Sequence, residues 1–152
     1  MNSTDFQKLL YRSAVSVMAV DGEIHETEIE EIKAIARETA YFLDFDYEKE
    51  LIININEIRL KGKEAINEFL SELGAADLNE RQEIILVEVI IRMIEADHKI
   101  DPNEIKFLQL IKAKIKTTEE TLLIKFPKQA DYLIDFNNWG TSQTFDSDIK
   151  IN

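Results

Sequence analysis

Cysteine is missing from these 152 residues. That excludes disulfides, thiolate metal sites and cysteine nucleophiles. It accords with a reducing cytoplasm, the compartment expected here. Glycine and proline are scarce, at four and two, which argues for helices over a turn-rich β fold. The longest apolar run, 84–94, is broken by Glu88 and Arg92. It is too short and too charged to span a bilayer. The start, MNSTDFQKLLYRS, lacks the basic residues and apolar stretch of a signal peptide. No direct membrane insertion is expected. Bases are in deficit, 18 against 30 acids, for a net charge of −12. Such a surface repels phosphate backbones and no basic run interrupts it, so no nucleic-acid partner is expected. Cationic partners and metal ions remain. Gly-rich phosphate loops, HExxH and GxSxG are also absent. Ser13 and Ser16 lie in a helical stretch with no histidine nearby in sequence, so no enzyme is expected.

What the chain has is helical period. Hydrophobic residues make up 45%, enough for one domain with its own core. From Phe6, apolar residues fall at Leu9, Leu10, Ala14, Val17 and Met18, a helical spacing with Ser3 or Thr4 as cap. Asp21-Gly22 should stop that helix, since glycine takes the left-handed conformation. A second helix is expected from Glu26, a third after Asp46 and a fourth over 63–73. A fifth should run from Asn79 to about Ala96, a sixth from Asp101-Pro102, and a seventh from Thr117 or Thr118 to before Pro127. Within LIININEIRL the Ile–Asn alternation also suits a strand, but Tyr47, Leu51, Ile55 and Ile58 fit the helical period. The class expected is an all-α bundle of six to seven helices, with 84–94 as its most buried segment. Residues 1–130 form the domain, and 131–152 form a tail.

The chain also repeats itself. VMAVDGEIHETEIEEIKAI aligns with MIEADHKIDPNEIKFLQLI at a constant offset of 76 (Asp21 to Asp97). Ile24 then meets Ile100, Glu28 meets Glu104, and Ile29 meets Ile105. Two pseudo-repeated helix–turn–helix units are expected. In each, an acid ends one helix, an Ile (Ile24 or Ile100) points inward to plug the turn, and a Glu opens the next helix.

Two accounts of these acids stand side by side. Asp101-Pro102-Asn103-Glu104 has the form of a capping box, with Asp101 as cap and proline at the first helical position. Early acids also suit the positive end of a helix dipole. Capping covers Glu28 and Glu104 but not Asp21 and Asp97, which sit at unfavourable helix C-termini. The alternative is a hard-cation site, since D-G-x-I-x-x-x-E is the second half of an EF-hand loop, with Gly22 as its turn glycine. The first half is missing: Val17 and Ala19 occupy ligand positions in one copy, and His98 replaces the glycine in the other. Any ion would be calcium or magnesium, weakly held, one at each elbow. His25 and His98, the chain's two histidines, also lie in the elbows. With Glu28 or Asp101 either could complete a transition-metal site; otherwise both are exposed loop residues.

The helix ending AVDGEI, the acid-rich helix after it and the element EADHKIDPNEI resemble the tellurite-resistance TerB family. KGKEA and LNERQ resemble the family's middle. The same module occurs at the N-terminus of a membrane-anchored DnaJ-like co-chaperone. The resemblance covers about 6–116. It implies a small, helical, non-enzymatic protein tied to stress responses, with Asp21, Glu28, Asp97 and Glu104 as the acids of a divalent-metal cluster. The alternative is a purely structural adaptor that binds a protein partner without metal. The tail holds Tyr132, Phe136, Trp139 and Phe145 without a regular apolar period. It should either fold back over an apolar groove or dock on a partner, a second copy of the chain included.

Overall fold

A computed structural model describes residues 1–142 and 144–151, and Gln143 and Asn152 of the tail lie outside the described residues. Among those described, every regular element is helical. α1 (Ser3–Ala19), α2 (Glu26–Glu38), α3 (Tyr47–Lys61), α4 (Lys63–Ala75), α5 (Glu80–Glu95), α6 (Pro102–Lys114) and α7 (Glu119–Lys125) follow one another. A one-turn α8 (Ala130–Leu133) and two short 3₁₀ turns at Pro127–Gln129 and Trp139–Thr141 come after.

Several helices begin on side-chain caps. Asn2 accepts from the Asp5 amide, Asp46 from Lys49, Asn79 from Gln82 and Thr118 from Thr121. Each satisfies an amide that the first helical turn leaves without a partner. α3 stops at Gly62, whose φ of 59° and ψ of −132° suit glycine alone, and α4 starts immediately after.

α1 and α5 pack against each other at the centre. α3 and α4 add to α1, α2 adds to α5, and α6 closes on α4 and α5. The most buried segment lies in α1, where ten of the eleven residues 9–19 are buried against seven of eleven in 84–94. That corrects the expectation for 84–94. The cause lies where α5 meets α2 and the turn after it: Glu88 accepts from the Tyr41 hydroxyl and Arg92 pairs with Glu31 and Glu38. Ser13 and Ser16 hand their hydroxyl protons to the Leu10 and Arg12 carbonyls of their own helix. In α3, Ile58 is buried and Tyr47, Leu51 and Ile55 lean on the core, while Ile52 and Ile53 are exposed. The helical period governs there, and the alternation is incidental.

Ile24 packs against the core. Ile100 does not: it is 44% exposed, correcting the expectation that it plugs its turn. Its side chain helps wall a surface cleft between the two elbows instead. Ile90→Ala, in the centre of α5, should cost about 2–5 kcal/mol in urea unfolding, as other buried Ile truncations do. Ile100→Ala should stay within about 0.5 kcal/mol, the range of surface substitutions. A large loss at Ile100 would return it to the core.

Candidate metal centre

Each elbow starts where a helix runs out, α1 at Ala19 and α5 at Glu95, and the next helices open at Glu26 and Pro102. The Gly22 N–H donates to the Ala19 carbonyl at 3.0 Å, and the His98 N–H to the Glu95 carbonyl at 3.3 Å. Both residues have positive φ, 88° and 59°. Glycine takes that conformation freely, whereas His98 holds it at a cost of roughly 1–2 kcal/mol. His98, which aligns with Gly22, thus shares its left-handed backbone.

Asp21 and Asp97 have a local task that helix capping does not cover. Oδ1 of Asp21 accepts from the Glu23 N–H, and Oδ1 of Asp97 from the Lys99 N–H, both at 3.0 Å. An Asp bonded to the amide two residues on stabilises a turn. That leaves the second oxygen of each. Oδ2 of Asp21 stands 3.4 Å from Nε2 of His25, and Oδ2 of Asp97 stands 3.9 Å from the same nitrogen. The Glu23 carboxylate comes within 3.7 Å. Asp21, His25 and Asp97 each offer one ligand atom, all within 4.8 Å of one another. The three are half-buried and line an open cleft of about 310 Å³, with Lys99, Ile100 and Asp101 on its walls.

Glu28 and Glu104 are 1% exposed. Oε1 of Glu28 accepts from the His25 N–H and Oε1 of Glu104 from the Asp101 N–H, each at 3.0 Å. Asp101 completes its cap by accepting from the Asn103 N–H at 2.7 Å. Burial pushes both glutamic acids up to about 8, against the pull of those amides. Neighbouring charge adds to the rise: Asp21, Glu104 and Asp97 act on Glu28, and Asp97, Asp21 and Asp101 act on Glu104. Burial raises Asp21 too. The two elbows are thus one electrostatic unit. Asp21 and Asp97 both face a single imidazole, that of His25.

Of the residues named from sequence, Asp21 and Asp97 come together, with Glu28 and Glu104 turned to their helix caps. His25 is the member that sequence reasoning underweighted. Its signal was its place four residues after Asp21 in the same turn. His98 is exposed, held as the left-handed turn residue.

The family described as tellurite resistance protein TerB matches residues 10–123, which include both elbows and all the residues of the cluster. The chain belongs to the TerB family. No curated protein and no solved structure matches it.

Glu28 and Glu104 bind protons more tightly in the folded chain than an ordinary carboxyl does in the unfolded one. Their burial therefore costs nothing below the ordinary carboxyl range. Stability falls as pH rises from there to about 8, by up to about 1.4 kcal/mol per pH unit for each group. Glu28→Gln keeps an oxygen for the His25 amide and removes the charge. It should raise the melting temperature relative to wild type at pH 9 and change it little at pH 4. An equal effect at both pH values would contradict the burial of a titrating carboxyl.

Proposed function

We propose that this protein is a non-enzymatic, stress-associated TerB-family module that holds one divalent cation where its two elbows meet. The observation that carries this is the convergence of Asp21 Oδ2, His25 Nε2 and Asp97 Oδ2 within 4.8 Å. Each aspartate spends its other oxygen on its own turn, so the ligand atoms are pre-aimed. Behind them lie two buried carboxyls. A cation would favour their charged forms, so binding should strengthen with pH and release protons. Oxygen ligands suit calcium or magnesium, and the imidazole extends the choice to manganese or zinc. Affinity should be modest, because the three groups leave coordination positions to water and Lys99 adds opposing charge nearby.

A second account has its own support. Glu28 and Glu104 already satisfy backbone amides, and Asp21 and Asp97 already close turns, so these acids also serve a metal-free adaptor that works through protein contacts. Among the described residues no helix is long and apolar enough to cross a membrane.

Amide NMR with added calcium, magnesium or zinc separates the two. Under the cation account, shifts appear in both elbows at the same concentration, and Asp97→Asn removes them from both. The adaptor account gives a flat titration to millimolar ion and an unchanged melting temperature.

A further inference from the structure

Residues 144–151 lie beyond the family match and outside every helix, yet they are not loose. Burial alternates along them: Phe145 and Ile149 are buried, Ser147 and Ile151 half-buried, and Asp146, Asp148 and Lys150 exposed. That is the two-residue period of an extended chain with one face inward. The bed is a groove on α4 and α6. Asn67 of α4 clamps the backbone of Phe145, donating to its carbonyl at 2.9 Å and accepting from its N–H at 2.7 Å. Lys106 of α6 pairs with Asp146 and lies 5.7 Å from the centre of the Phe145 ring, and Lys63 pairs with Asp148 at 3.2 Å. Asn103 meets the Ser147 hydroxyl while donating to the Val20 carbonyl of the first elbow. Added methyls on Gly62 and Gly22 would come to 3.3 and 3.5 Å from the carbonyls of Ile149 and Lys150. Both turns are bare where the segment crosses.

A side-chain amide that satisfies both backbone groups of one residue recognises an extended peptide without regard to sequence. Apolar seats for the first and fifth residues and lysines for the second and fourth then supply selectivity. On a chain of net charge −12, most of the surface repels an acidic segment, and this groove attracts one. Every residue that builds it belongs to the family-matched part; only the occupant lies outside. We propose that the groove is a peptide-docking site that the chain's own tail fills. It would receive from a partner protein an extended segment of the same chemistry: an aromatic residue, acids one and three positions later, and an aliphatic residue at four. The tail acts as a tethered competitor, whose high effective concentration sets the threshold a partner must exceed. This inference does not depend on the cation.

The test uses the full chain and a fluorescent peptide of sequence TFDSDIKI. Phe145→Ser with Ile149→Ser in the chain empties the groove and leaves its walls intact. That variant should bind the peptide at least tenfold more tightly than wild type. Adding Asn67→Ala should undo the gain, and a peptide with both acids replaced by lysine should not compete. If the emptied chain loses its helical circular dichroism, Asp146→Lys with Asp148→Lys loosens the tail by charge alone and must show the same gain. No gain in a folded variant, or a gain indifferent to Asn67, would show the tail to be a fixed part of the fold. A concentration-dependent dimer of wild type, abolished by Asp146→Lys with Asp148→Lys, would overturn the choice of partner and seat a second copy's tail there.

Discussion

Two buried carboxyls facing one cluster of acids constrain much of what surrounds them. Glu28 and Glu104 are taken out of water at the point where the elbows come together, and an isolated charge there would be costly. Each is tolerated because an amide from its own helix cap bonds it and because burial holds its proton to higher pH. The same arrangement fixes both turns. Helix starts at Glu26 and Pro102 set the two glutamates, and the turn bonds of Asp21 and Asp97 set the oxygens that face His25. A residue that caps a helix and a residue that raises its neighbour's pKa are here one and the same.

How far this was legible in the sequence depended on distance along the chain. Local signals were strong. The cap at Asp101-Pro102, the period through α1 and α5 and the stop at Gly22 all act within a turn or two, and the helices follow them. The ambiguous LIININEIRL resolves as helix because Ile58, Leu51 and Tyr47 share a face, whereas Ile52 and Ile53 look outward. The meeting of the two elbows was not legible. Nothing within either elbow says that Asp97 reaches His25, since that contact depends on how α1, α2, α5 and α6 pack. Ile100 misled for the same reason: alignment with Ile24 gave it the same role, but the cleft between the elbows, and not the core, lies on its side. The tail shows no helical period because FDSDIKI alternates with a period of two.

The elbow cluster and the tail groove share structure. Asn103, one residue before Glu104, links the Val20 carbonyl at the end of α1 to Ser147 of the tail. Gly22, one residue after Asp21, passes beneath the Lys150 carbonyl. The first elbow thus carries two loads, the acid cluster on one side and the crossing tail on the other. Its glycine suits the first, supplying the positive φ of the turn, while a Cβ there would still leave ordinary contact with the crossing chain. At 98 a histidine stands at positive φ.

We propose that the two elbows make one cation site and not two. Anomalous diffraction from crystals grown with manganese tests it most directly. The account predicts a single peak in contact with Asp21, His25 and Asp97, lost on Asp97→Asn. Separate peaks at the two elbows, or none at either in crystals that diffract well, would contradict it.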